Sequence, residues 1–292
     1  MRHTIYVIAA GCLWGMISIF VNSLKSMGFN SLQCVAIRTF FAAAILFLYL
    51  FVRDKRKLWI AWKDIKYFIG TGICSIVLFN YCYFEAIEQI GGAAVPALLL
   101  YTAPIFVMVL SAIFFHESIT RKKVAALLLT FAGLGLVTGA FTGGEKVSIP
   151  ALLLGLGSGF GYALYSIFGK LIVNKYDAVT ITFYTFAVAA IGVVPMSGIV
   201  PKIALFWDLK CMIAILGLAG FSTVVPFLLY TKGLCGMEAG RASILATIEP
   251  FVAAMVGVLL FGEVFTLPKS IGMIFILAAI VFINLEGTPK KK

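Results

Sequence analysis

GRASILATIEPFVAAMVGVLLFGE, residues Gly240–Glu263, decides how this chain folds. Between Arg241 and Glu263 the run carries a single acid, Glu249, and it is long and apolar enough to cross a bilayer as a helix. A counterpart lies 146 residues earlier, LLLYTAPIFVMVLSAIFFHE, Leu98–Glu117. In that register Pro104 meets Pro250, Phe115 meets Phe261 and Glu117 meets Glu263, and just beyond, Thr120 meets Thr266 and Lys123 meets Lys269. The match continues without gaps toward the amino terminus. Gly11 meets Gly157, Trp14-Gly15 meets Phe160-Gly161, Thr39-Phe40 meets Thr185-Phe186, and Ala43-Ala44-Ile45 meets Ala189-Ala190-Ile191. Apolar positions repeat by chance, whereas prolines and charges held in one register point to duplication. The chain therefore divides into residues 1–145 and 147–292.

Composition agrees. Apolar residues make up 62% of the 292 and charged residues 12%, too little charge to clothe a soluble domain of this size. Ten apolar stretches can be marked, at 4–24, 32–52, 67–87, 94–115, 124–141, 149–170, 179–199, 211–231, 241–261 and 270–286. The expectation is an all-α polytopic membrane protein with ten transmembrane helices. Five spans per repeat is an odd number, so the halves must run in opposite senses; such inverted repeats are typical of transporters. The first stretch resembles a signal-peptide core, but it runs on to about Val21 without a clear cleavage site and reads as the first span.

The net charge of +11 reflects orientation rather than nucleic-acid binding. With the amino terminus inside, 17 lysines and arginines face the cytoplasm: Arg2, the six from Arg53 to Lys66, Arg121, Lys122, Lys123, Lys170, Lys175, Lys232, Arg241 and Lys290–Lys292. Five face outward: Lys25, Lys146, Lys202, Lys210 and Lys269. That asymmetry places both termini in the cytoplasm, in a multi-pass protein of the cytoplasmic (inner) membrane. Leu58, Trp59, Ile60 and Trp62 among lysines read as an interfacial segment. The six cysteines, Cys12, Cys34, Cys74, Cys82, Cys211 and Cys235, have no metal or disulfide spacing and read as small hydrophobes.

These residues carry a family resemblance. AGCLWGMISIF in the first span, Arg38-Thr39-Phe40 in the second, and the two segments quoted above resemble the drug/metabolite transporter superfamily, EamA type. The Trp-Gly pair, the mid-helix proline and the Gly-Glu at the helix end all map onto this chain, over nearly its whole length. The resemblance implies ten helices and transport, often export, of amino acids or related metabolites. One departure is His116, where the second repeat has Gly262.

Residues that obey the repeat read mostly as scaffold. Gly11, Gly15, Gly155, Gly157, Gly159 and Gly161 form ridges for close helix packing. Pro104 and Pro250 each free a backbone carbonyl, which either lines a cavity or bends a helix. Glu117 and Glu263 read as turn-stabilising acids, and Lys232 and Arg241 as interfacial anchors. Residues that break the repeat are better site candidates, because a substrate is asymmetric. Arg38 matches Tyr184, Asn80 matches Pro226, Glu85 matches Thr231 and Glu249 matches Ala103. Glu85 and Glu88 fall near the outer end of their span and read as solvated. Glu249 lies about eight residues into its span, roughly 12 Å deep in a hydrocarbon core of about 30 Å, where an ionisable group is a functional site by default. The expected substrate-binding set is Trp14, Arg38, Asn80, Tyr101, Tyr162, Tyr165, Tyr184 and Glu249. Arg38 offers a planar fork of donors to an anionic group of the substrate, and Glu249 is the expected proton-coupling residue.

The chain lacks GxxxxGK[ST], so ATP does not drive it directly. His3 and His116 lie near the inner surface and there is no HExxH, which argues against an intramembrane enzyme and against a catalytic or metal centre. No cofactor is expected. The partners expected are a small-molecule substrate and the lipid bilayer, with no nucleic acid. The leading reading is a secondary transporter that works by alternating access. A passive channel or lipid scramblase is the alternative.

Overall fold

In a computed structural model, residues 2–141 and 147–284 are described. Lys146 and Lys290–Lys292, counted in the charge asymmetry, lie outside them. The described residues form helices and the turns that join them, without strands. Eight helical runs are long and apolar enough to cross a membrane: α1 (Arg2–Ser26), α2 (Ser31–Arg53), α3 (Trp62–Ile90), α4 (Ala94–Phe115), α6 (Ile149–Ile172), α8 (Leu209–Cys235), α9 (Ala239–Phe261) and α10 (Leu267–Asn284). Two further helices lie between them, α5 (Arg121–Thr138) and α7 (Ala178–Val193).

The two exceptions have local causes. Helix α5 starts three residues earlier than its apolar run, because the Thr120 hydroxyl caps the Lys123 N–H and draws Arg121, Lys122 and Lys123 into the first turn. It ends at Thr138, before Gly139 in the left-handed conformation, not at 141 as expected. Helix α7 stops at Val193 rather than 199: Pro195 follows, and Gly198 turns left-handed at φ 59°. Other helix starts have well-formed caps. Asn30 and Gln33 form a capping box on α2, and Ser148 and Asp177 accept N–H groups at the starts of α6 and α7.

Helix α1 runs antiparallel against α8. His3 Nδ1 lies 3.0 Å from the Lys232 carbonyl at one end, and Phe20 packs on Gly217 at the other. Helix α6 lies against α3 in the same manner, through Gly161 on Phe79 and Phe168 on Gly70. Helix α1 also packs on α9, α6 on α4, α2 on α7, and α5 on α10. The α5–α10 contact is backbone to backbone, Gly133 on Gly272.

Helices α3 and α8 each contain a π-helical stretch, Gly70–Val77 and Gly217–Val224, one residue off the 146 register. Helices α4 and α9 are each interrupted ahead of their proline, at Tyr101–Thr102 and at Thr247. The breaks fall 146 residues apart, as do the left-handed corners that end these helices, His116 and Gly262.

Contacts gather the basic segments at one end. Lys170 Nζ donates to the carbonyls of Leu234 and Met237, Lys123 pairs with Glu238, Lys175 with Asp64, and Lys57 with Asp177. Trp59 and Trp62 stand 83% and 82% exposed beside this end. At the other end Lys202 donates to the Gly28 carbonyl, Gln33 to Gly198, and Trp207 is 86% exposed. Bared indoles near helix ends suit the headgroup layer, where one face is apolar and the N–H is wet.

Candidate functional site

The site is built on the interruption of α9. Pro250 has no N–H to give the Ala246 carbonyl, so the helix breaks at Thr247 and restarts at Ile248, with Glu249 in the new first turn. A Cβ on Gly11 would fall 2.8 Å from the Ala246 carbonyl oxygen, and one on Gly15 would fall 2.6 Å from that of Glu249. Helix α1 therefore lies directly on the broken backbone and fixes where Glu249 points. The related break in α4 is covered by α6: a Cβ on Gly159 would sit 2.8 Å and 3.0 Å from the carbonyls of Leu99 and Leu100. The two prolines thus line a polar interruption rather than merely bending their helices.

The Tyr162 hydroxyl, on α6, donates to Glu249 Oε2 at 3.2 Å. Tyr101, at the break in α4, faces the same carboxylate. Arg38 lies on α2, 8% exposed, within electrostatic reach of Glu249 but short of a direct ion pair. Its Nε is buried without a hydrogen-bond partner, as is Trp14 Nε1. Two such unpaired donors are costly, about 1–3 kcal/mol each, unless a ligand or water satisfies them. The net arrangement is one acid and one base held apart in a poorly hydrated space.

Aromatic rings form the wall. Trp14 meets Phe227 at 5.1 Å, Tyr230 at 5.3 Å and Tyr162 at 6.4 Å between ring centroids. Tyr165 meets Phe227 at 4.9 Å and bonds Thr231 at 2.7 Å; Tyr230 bonds Ser166 at 2.8 Å. These bonds hold the tyrosine hydroxyls in fixed directions. A narrow cleft opens here, lined by Tyr101, Tyr162, Tyr230, Ser243, Thr247 and Glu249.

Of the eight expected residues, Tyr101, Tyr162 and Glu249 line this cleft, Trp14 and Tyr165 stand in the aromatic wall behind it, and Arg38 makes no direct bond to any of them. Tyr184 lies elsewhere, and Asn80 spends its amide within its own helix. Tyr184 donates to the Leu58 carbonyl at 2.5 Å and packs on Phe68 at the basic end, where it pins the 55–58 turn onto α7. Asn80 is buried, but its amide donates to the Ile76 carbonyl at 2.7 Å, just past the π stretch of α3. Phe227, Tyr230 and Tyr83 belong to the site and were not expected. Tyr83 is close enough to feel the charge of Glu249. Phe227 and Tyr230 stand three residues apart on one face of α8, a spacing that could have flagged them. Arg241 is no surface anchor: it is 8% exposed and donates to Asn284 at 3.3 Å.

Known proteins share this architecture. A crystal structure superposes with a TM-score of 0.81 over 97% of this chain and 96% of the other, at 18% identity, which speaks to fold alone. An uncharacterized transporter of Archaeoglobus fulgidus is 28% identical across 97% of this chain and 99% of its own length. The uncharacterized inner membrane transporter YicL of Salmonella typhimurium is 25% identical over 96% of this chain and 94% of its own. A probable amino-acid metabolite efflux pump of the same organism is 24% identical over 67% of this chain and 68% of its own. The EamA-like transporter family matches at residues 1–139 and again at 149–285. A multi-pass bundle of apolar helices that carries this signature through both of its halves belongs to the EamA-like transporter family.

Proposed function

We propose that this protein is a secondary transporter of the inner membrane that exports small polar metabolites, amino acids among them, by alternating access. The observation that carries the reading is Glu249, half-buried at a helix break within electrostatic reach of Arg38 and bonded by Tyr162. In broken-helix transporters, half-helix ends at mid-membrane hold substrate and coupling ion. Here the carboxylate takes up a proton or a cationic group, the guanidinium takes an anionic group, and the aromatic wall takes an apolar part. The efflux-pump name of one relative favours export of amino-acid metabolites.

The same reading includes ten spans, with α5 and α7 crossing as well, in two inverted five-helix repeats with both termini in the cytoplasm. Support comes from the paired π stretches, the paired breaks, the matched packing of α1 on α8 and α6 on α3, and the family's match to each half. The gathering of Lys57, Lys123, Lys170 and Lys175 at one end supports the orientation. The test is reconstitution in proteoliposomes with solutes chosen by thermal-shift screening. Saturable counterflow of a defined solute is expected. Flux that never saturates, or lipid scrambling without solute selectivity, refutes it in favour of a channel or scramblase.

A further inference from the structure

The cavity of a two-repeat transporter must be shut at one end whenever it is open at the other. The corners after α4 and α9 differ in a way that bears on such closure. Each ends on a left-handed residue, His116 or Gly262, and each projects an acid next, Glu117 or Glu263. Their backbones agree: the Glu117 N–H donates to Ser111 and the Glu263 N–H to Gly257, six residues back in both cases. Their side chains do opposite things.

Glu117 reaches across to the start of α9, a segment that is also packed by several other helices. Its Oε1 accepts from the Ala239 N–H at 2.7 Å and its Oε2 from the Gly240 N–H at 3.1 Å. Helix α9 has no cap of its own, since Glu238 makes no side-chain bond to it. The carboxylate of another helix therefore satisfies its first donors, where the helix dipole also favours negative charge. Lys123, 3% exposed, ties the same end by pairing with Glu238 at 2.7 Å and donating to the Ser118 carbonyl. Residues 239–246 are all buried.

The equivalent parts at the other end are apart. The counterparts of Ala239 and Gly240 are Ala93 and Ala94, at the start of α4. Ala93 is exposed, Ala94 half-buried, and no side chain caps them. Glu263 is folded back over Gly257 of its own helix, 53% exposed, and pairs with Lys269, the counterpart of Lys123.

We propose that Glu117 and Glu263 are alternating latches. Glu117 on the α9 start closes the basic, cytoplasmic end in the conformation described. In the opposite conformation Glu117 lets go, and Glu263 swings from Lys269 onto the N–H groups of Ala93 and Ala94 to close the outer end. This rests on the alternating-access reading. It gives the paired turn acids a task that neither a substrate site nor a simple turn requires.

The test needs no substrate. In a chain whose native cysteines are replaced, single cysteines at Gly240→Cys and Ala93→Cys report the two ends by their rate of reaction with a water-soluble maleimide. A Cβ at Gly240 meets nothing nearer than 3.6 Å, so the probe is accommodated. Without variants, Ala93→Cys reacts fast and Gly240→Cys slowly. Glu117→Gln, and separately Glu117→Asp, which keeps the charge but shortens the reach, should speed Gly240→Cys by about tenfold, the factor that one charge-assisted hydrogen bond supplies. Both should slow Ala93→Cys, since the ends are exclusive. Glu263→Gln should do the reverse. If added solutes or lipids shift the two rates in opposite directions but the glutamate variants do not, the bundle alternates and the latch is wrong. If the two rates never oppose each other, alternating access and the latch fall together. Variants that raise both rates mean lost packing, which also overturns the latch.

Discussion

Gly15→Ala tests whether α1 holds Glu249 in place. The new methyl would sit 2.6 Å from the Glu249 carbonyl oxygen, 2.6 Å from Val252 Cβ and 3.0 Å from the Ala253 nitrogen. Comfortable carbon contacts begin near 3.5 Å, so the helices must part by roughly 1 Å over at least one turn. Two of the three obstacles are backbone atoms in a helix and cannot rotate away. Overpacking of this kind costs about 1–3 kcal/mol. The displaced backbone belongs to Glu249 itself, and Trp14 moves with α1, so the carboxylate, the Tyr162 hydroxyl and the indole lose their mutual geometry. The expected outcome is a lower unfolding temperature of the purified protein and transport reduced by an order of magnitude or so, a 1 Å displacement being enough for such a loss. Gly220→Ala is the control. It lies within the π stretch of α8, and its Cβ would meet nothing within 4 Å. It should leave both readouts near wild type. If Gly15→Ala behaves like Gly220→Ala, the close contact of α1 with α9 does not govern the site.

Arg38→Lys keeps the charge but loses the planar fork, and should weaken substrate affinity nearly as much as Arg38→Ala; normal transport by both would make Arg38 a structural charge only. Glu249→Gln keeps the shape and the bond from Tyr162 but cannot titrate. In proteoliposomes with an imposed pH gradient it should fail to concentrate substrate; a mutant driven by pH as well as wild type clears Glu249 of proton coupling. Single cysteines at positions 143 and 202 should be labelled from outside intact cells and those at 57 and 290 should not, and outside labelling at 290 ends the proposed topology. Tyr162→Phe removes the hydroxyl that bonds Glu249 Oε2, a loss of about 1.5–3 kcal/mol if the carboxylate is charged, and should weaken binding by tenfold or more while leaving the fold intact.

Hydropathy was enough to place the eight long apolar helices. The span marked 94–115 is α4 to the residue, and the prolines marked the breaks. Helix ends governed by single caps were less visible, as at Thr120 and Gly198, because one hydroxyl or one positive φ outweighs an apolar average. Symmetry breaking singled out Arg38 and Glu249, which the fold places within electrostatic reach of each other. It pointed to Tyr184 as well, but Tyr184 lies only one and a half turns into α7, within reach of the folded 55–58 turn, a tertiary contact that linear spacing does not encode. Past a π stretch the Asn80 amide finds the Ile76 carbonyl, a backbone partner that spacing does not foretell. In the apolar average Phe227 and Tyr230 of α8 count simply as apolar residues, and only their three-residue spacing sets them apart.

The π stretches in α3 and α8 have a genetic consequence. A π turn accommodates one residue more than the α turn it replaces, so each marks a place where the helix carries a surplus residue. Deleting one residue inside Gly70–Val77 or Gly217–Val224 can tighten the coil to α and leave the far side of the helix facing as before. The same deletion in the regular part of α2 or α6 turns every later side chain by about 100°, away from its neighbours. Helices α3 and α8 thus have reading-frame slack that the rest of the bundle lacks, and among relatives that differ in length by a residue, these two windows are where the difference can be absorbed without re-aiming Tyr83 or Tyr230.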